Sequence, residues 1–148
     1  MNRILVSCNG LDEPPWKKGF CDFCGKVLAA MGIDNWEVSL LLCDDDTMER
    51  LNSTYRGIDA PTDVLAFRQN GGVCRDTVSP QPVGDVVISV ETMGRQAEEL
   101  GVPREQELKR LLIHGLLHLS GMDHAEGDTA MMLRQEEILL QLSEERIF

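Results

Sequence analysis

Apolar positions along the chain follow two rhythms, alternation suited to strands and a three-and-four spacing suited to helices. Residues 3 to 8 (RILVSC) form a short apolar run that predicts a strand. The Pro14-Pro15 pair then opens a helix carrying Trp16, Phe20, Phe23, Val27 and Leu28, whose spacing puts them on one face, and Gly32 ends it. WEVSLLLC (36 to 43) is the clearest strand. Asp46 with Glu49 three residues later resembles a capping box, which predicts a helix from Thr47 to Tyr55. Asp59-Ala60-Pro61-Thr62 breaks it, and DVLAF (63 to 67) reads as extended.

Two adjacent glycines and two prolines between Gln69 and Pro82 predict a loop or a long hairpin connection. VGDVVISV (83 to 90) is a further strand, followed by a helix from Glu91 to Leu100 that Gly101 closes. Pro103 opens a helix through Leu119, and a last amphipathic helix runs from Thr129 to Ser143 with Asp128 as N-cap. Strands mixed with helices, then three consecutive helices, predict an α+β fold: a small mixed sheet of about four strands packed with about five helices. The helix after Pro103 is the central one. With no repeat and no linker, residues 1–148 are expected to form a single domain.

Composition changes this picture little. An apolar fraction of 43% with 26% charged residues suits a soluble globular chain, and no window approaches the roughly 18–20 apolar residues of a membrane span. The N-terminus fails as a secretory signal, so the expected location is cytoplasmic, with no membrane partner. Five scattered cysteines, an odd number, argue against a disulfide framework. Cys21 and Cys24 form a C-x-x-C without a second pair to match, and are expected to be helix-face thiols one turn apart. The net charge of -11 repels polyanions at long range, so any nucleic acid must be met by a local cationic group or a metal ion.

The chemistry is concentrated in IHGLLHLSGMDH, which holds all three histidines of the chain. His114 and His118 are four residues apart on a helix, so both imidazoles project from one face. Gly121 can take the left-handed conformation that swings the chain back, and His124 then returns as a third ligand. The spacing matches the H-x-x-x-H-x-x-G-x-x-H arrangement of metzincin-type zinc helices. Because LLIHGLLHL is apolar on nearly every side, the two imidazoles need polar partners, and an unpaired buried polar group costs on the order of 1–3 kcal/mol. Metal coordination supplies those partners. Three ligands leave a fourth tetrahedral position for water, the pattern of catalytic zinc, although Cys8, Cys43 or Cys74 would close the site if one of them came near. Gly115 stands where H-E-x-x-H proteases carry their glutamate base, so peptide hydrolysis is disfavoured. Asp123 and Glu126 are near enough in sequence to serve as outer partners or proton acceptors.

Upstream, LNSTYRGIDAPTDVLAF (51 to 67) carries Arg56, whose planar guanidinium suits phosphate oxygens, unless it is spent on a surface salt bridge to Asp59 or Asp63. Taken together, three blocks resemble the YbeY family of bacterial endoribonucleases. They are His114-Gly115-Leu116-Leu117-His118-Leu119-Ser120-Gly121-Met122-Asp123-His124; Asn52, Tyr55-Arg56, Asp59 and Pro61-Thr62-Asp63-Val64-Leu65-Ala66-Phe67; and Gly84-Asp85-Val86-Val87-Ile88-Ser89. Ala66 departs from a usual serine.

The resemblance implies a metal-dependent, single-strand-specific endoribonuclease acting in ribosomal RNA maturation, at the small-subunit 3′ end, and in ribosome quality control. It also implies one zinc ion on His114, His118 and His124, and catalytic roles for Arg56 and His114. Its expected partners are single-stranded RNA, chiefly rRNA, and the assembling ribosome. Either a zinc-activated water or the RNA 2′-hydroxyl can serve as nucleophile in such a site. Two other readings stay open: a non-catalytic, zinc-containing ribosome-assembly factor and, further down, a metzincin-like metalloprotease.

Overall fold

The computed structural model describes residues 1–69, 80–122 and 124–148, with the backbone alone for 124–128. The order of elements is β1 (Arg3–Asn9), α1 (Lys17–Ala30), β2 (Trp36–Cys43), α2 (Asp45–Arg56), β3 (Val64–Arg68), β4 (Gln81–Ser89), α3 (Val90–Leu100), α4 (Arg104–Leu119) and α5 (His124–Gln141). The strands form one mixed sheet in the order β1-β2-β4-β3, in which β1, β2 and β4 are parallel and β3 runs antiparallel along the β4 edge.

Alternation within each strand sorts the side chains to two faces. Register aligns Val6, Leu40, Val86 and Ala66 in one row across the sheet. That row belongs to the main core, which α1, α3, α4 and α5 complete with Phe20, Phe23, Val27, Leu28, Met93, Leu112, Leu116 and Ile138. On the other face Cys43, Leu65 and Val87 meet Met48 of α2, with Leu41, Leu51 and Phe67 packed alongside. Thus α2 covers one face of the sheet and α4 lies on the other.

Ten of the sixteen residues of α4 are buried, among them Glu107 and Lys109. A helix buried nearly all round is the centre of its domain, as LLIHGLLHL predicts. Its buried carboxylate is neutralised in place: Arg110 donates to both oxygens of Glu107 at 2.8 and 2.6 Å. The Lys109 ammonium lies 5.4 Å from the centroid of the Phe23 ring.

Two boundaries differ from the expectations. The first concerns α2, which starts at Asp45 rather than Thr47 and is capped by Asp44 rather than by an Asp46–Glu49 box. Asp44 has extended backbone and its carboxylate accepts from the Thr47 N–H at 2.9 Å, which sets the helix start two residues earlier. The second concerns α5, which starts at His124, so Asp128 and Thr129 lie within it rather than at its cap. Gly127 thus falls inside a helix against its low propensity, as tertiary packing of the rest of α5 outweighs single-residue preference. Of the 69–82 connection, Gln81 and Pro82 belong to β4, while residues 70–79, Cys74 included, lie outside the described residues.

Candidate functional site

The site is built at the C-terminal end of α4. His114 and His118, both half-buried, have ring centroids 4.9 Å apart and planes at 73°. The helix itself sets that spacing, since side chains four residues apart lie one above the other. His114 is fixed further by a residue that the motif does not contain: its Nδ1 lies 2.9 Å from Oε1 of Gln135, a fully buried residue of α5. Beyond His118 the chain reverses, with the Gly121 N–H donating to the His118 carbonyl and the Met122 N–H to Leu117. Gly121 takes φ 103°, so glycine is required there. Two residues past Met122, α5 begins at His124. The His124 side chain, expected as a third ligand, lies outside the described residues, like Asp123 and the side chain of Glu126.

Gly115 is a packing requirement as well as a missing base. A Cβ there would stand 2.6 Å from one methyl of Val86 and 3.1 Å from the other. The position after His114 therefore faces β4, and a side chain there would enter the sheet rather than reach the imidazoles. Gly84 has a similar role on β4: with φ 153°, its missing Cβ leaves room for the Phe67 carbonyl, which would otherwise be 2.1 Å distant. This close approach seats the end of β3 beside Leu119. Arg68, the last residue of β3, directs its guanidinium to the neighbourhood of Gly121, 3.9 Å from the position a Cβ would occupy.

Arg56 ends α2, on the opposite face of the sheet from α4 but at the same end as Arg68, since Tyr55 stacks obliquely on Phe67 with centroids 5.1 Å apart. Among the described residues Arg56 is exposed and makes neither hydrogen bond nor ion pair. The salt bridge weighed for it does not form, because both carboxylates are engaged elsewhere. Asp59 accepts from the Ser53 hydroxyl at 2.6 Å, and Asp63 accepts from Gln96 of α3 at 3.1 Å and from its own neighbour's N–H, Val64, at 2.8 Å. The segment after Arg56 is pinned by buried Asn52, whose amide donates to the Ala60 carbonyl at 2.8 Å. The structure thus brings His114 and His118 together and leaves Arg56 on a separate element with its guanidinium uncommitted.

The chemistry of this donor set fits a borderline metal ion such as zinc: two imidazoles on one face, one of them with its second nitrogen held by a buried amide oxygen. Among the described residues no group of three or more His, Cys, Asp or Glu side chains is placed to hold a metal. Cysteine closure of the site is not available from the described residues. Cys43 sits in the cluster under α2, on the other face, and burial pushes its thiol up to about 12, with Asp44, Asp45 and Glu91 adding to the effect. Cys8 is on β1, separated from β4 by β2. Cys21 and Cys24 lie on α1 as expected, and burial raises both thiols, leaving them protonated.

The fold and site define a small α+β protein whose core helix presents paired imidazoles at its C-terminal end, with an uncommitted arginine across the sheet edge. A model of the family described as endoribonuclease YbeY matches residues 8–143. The chain belongs to that family. Endoribonuclease YbeY of Treponema pallidum is 44% identical across 95% of this chain and 90% of its own length, and that of Treponema denticola is 42% identical across 99% and 97%. The solution structure of TM1509 from Thermotoga maritima superposes with a TM-score of 0.63 at 26% identity, covering 97% of this chain and 91% of that one. No helix among the described residues is long and apolar enough to cross a membrane.

Proposed function

We propose that this protein is a zinc-dependent endoribonuclease that cuts single-stranded RNA, acting in ribosomal RNA maturation at the small-subunit 3′ end and in ribosome quality control. The observation that carries the reading is the pair of imidazoles on the buried helix, with His114 held from behind by Gln135. His114, His118 and His124 would hold the ion. Bound there, zinc supplies Lewis acidity toward a phosphoryl oxygen and lowers the pKa of a water from 15.7 toward about 7. His114 thereby acts as a ligand at the reacting centre.

The remaining steps belong to side chains of the chain. Arg56, with no carboxylate partner among the described residues, offers planar donors to the non-bridging oxygens and neutralises charge as the phosphodiester goes through its transition state. Arg68 adds a second cation near Gly121, the local positive charge that a chain of net charge -11 needs to approach RNA. Tyr55 is 66% exposed and backed by Phe67, a face on which an unpaired base can stack, which suits a single strand better than a duplex. Peptide hydrolysis is opposed by the contact of Gly115 with Val86, which leaves no room for a glutamate base.

The test is cleavage of matched single-stranded and duplex RNA by zinc-loaded protein, by His118→Ala and by Arg56→Ala, together with analysis of 16S-type rRNA ends in cells carrying each variant. Cleavage of the single strand by wild type alone, with unprocessed rRNA in both variant strains, is the expected result. Intact RNA with zinc-loaded wild type, and normal rRNA in the variant strains, would refute it. Absence of a cyclic phosphate in the products would identify water as the nucleophile.

A further inference from the structure

The buried face of α5 is a stripe of Met131, Gln135 and Ile138, continued by Leu142 just beyond the helix end, at intervals of four, three and four. Three of the four are apolar. Gln135 is completely buried, and among the described residues its Nε2 has no hydrogen-bond partner, while Oε1 lies 2.9 Å from Nδ1 of His114. A methionine of similar shape would fill the stripe without leaving a buried amide N–H unsatisfied, so packing alone does not account for glutamine here. What the carboxamide has and a thioether lacks is a strong acceptor aimed at one ring nitrogen of His114.

That contact has a chemical consequence. A carboxamide oxygen only accepts, so a hydrogen bond at this distance requires the imidazole proton on Nδ1. A neutral imidazole carries one N–H, and the lone pair is then left on Nε2. We infer that Gln135 is the positioning residue for His114: it fixes the ring as the Nδ1–H tautomer, so that Nε2 is presented to a divalent cation of the zinc type. The inference rests on the reading of His114 and His118 as metal ligands. Because Gln135 stands on α5, docking of α5 against α4 and orientation of His114 are one event. Outer hydrogen-bond partners of this kind govern both ring orientation and ligand basicity.

The experiment uses the full-length protein and two readouts besides activity. The first is the position of the His114 proton in metal-free protein at pH 8, from long-range proton–nitrogen NMR correlations of the imidazoles. The second is zinc affinity by competition with a chromophoric chelator, for wild type, Gln135→Leu and Gln135→Glu, with circular dichroism as the check on folding. The expected results are Nδ1–H in wild type, a loss of roughly 10–100-fold in zinc affinity in Gln135→Leu, and near wild-type affinity in Gln135→Glu, which keeps an acceptor oxygen. A His114 proton on Nε2, undiminished affinity in Gln135→Leu, or equal losses in both variants would overturn the inference and leave the metal reading standing. No zinc uptake by wild type would overturn both. If Gln135→Leu does not fold, the wild-type tautomer and the Gln135→Glu affinity still decide.

Discussion

Replacing Gly115 by alanine adds one carbon at the tightest point between α4 and the sheet. The new methyl would stand 2.6 and 3.1 Å from the two γ-carbons of Val86, against an ordinary carbon–carbon separation of about 3.5–4.0 Å. Val86 cannot turn aside: it is 1% exposed, β-branched, and registered between Leu40 and Ala66. The helix must therefore retreat by about 1 Å, and overpacking of this kind costs about 1–3 kcal/mol. Alanine regains about 1 kcal/mol of helix propensity relative to glycine. The expected net loss is about 1 kcal/mol, or about 2–4 °C in Tm for a chain of this size. Urea unfolding of Gly115→Ala, Val86→Ala and the double variant measures it, because removing the valine methyls makes the space the new methyl needs. The double variant should be more stable than the sum of the two by at least about 0.5 kcal/mol. Additive losses, or a Gly115→Ala protein as stable as wild type, would refute the packing argument. Zinc uptake should weaken only modestly, since His114 and His118 move together on one helix. Cleavage should fall further, by about 10²-fold, because a displacement of this size disturbs their alignment with Arg56 on the far face.

Arg56→Ala should lower kcat by about 10²–10³-fold while urea unfolding shifts by less than about 0.5 kcal/mol, as the guanidinium has no partner among the described residues; a large stability loss would contradict its description as uncommitted. His118→Ala should abolish zinc uptake and cleavage together, and a chelator should reproduce the loss in wild type. Acid sensitivity should come from Asp45 and Glu105. Burial acts to raise the Asp45 carboxyl, but the Ser89 and Thr92 hydroxyls and the Arg95 guanidinium outweigh it and hold the group below its ordinary range. Burial likewise opposes the backbone N–H groups of Phe148 and Ile147 at Glu105, and again the hydrogen bonds prevail with help from Arg146 and Lys109. Carboxyls depressed in the folded state contribute stability that is complete above their ordinary values and disappears as pH falls through the depressed ones. Urea midpoints between about pH 3 and 6 should therefore fall less steeply in Asp45→Asn/Glu105→Gln than in wild type; parallel curves would show that these contacts are not the source.

Much of this architecture is legible in the sequence because it depends on local period. The strands at 3–8, 36–43 and 83–90, the α1 face and the buried character of α4 all follow from spacing, and His114 and His118 follow from one helical turn. What is not legible depends on contacts between distant segments. The insertion of β4 between β2 and β3 is a long-range choice that no window contains. Gly115 reads as a missing base, yet its packing role appears only when Val86 is found opposite. Gln135 left a usable signal: a polar residue at four, three and four spacing among Met131, Ile138 and Leu142 marks a buried polar group that must have a partner. Asp46 misled because any of three consecutive aspartates can cap; Asp44 takes the extended backbone of the cap position, while Asp45, held by Ser89 and Thr92, and Asp46 already lie in the first turn.

The strand order also dictates a schedule. Pairing of β2 with β4 joins Glu37 to Pro82 and Cys43 to Ser89, so the middle of the sheet cannot close until the chain has been made through β4. Sheets dominated by such distant parallel pairs fold slowly, in milliseconds to seconds. The helix with the imidazoles and the helix that carries Gln135 come later still, after residue 103. At synthesis rates of about 5–20 residues per second, a growing chain therefore presents a nearly complete sheet, one face open, for seconds before α4 arrives to cover it. During that interval the main core is exposed and the site does not exist. The last third of the chain thus seals the fold and assembles the chemistry at the same time, and a truncated product lacks both.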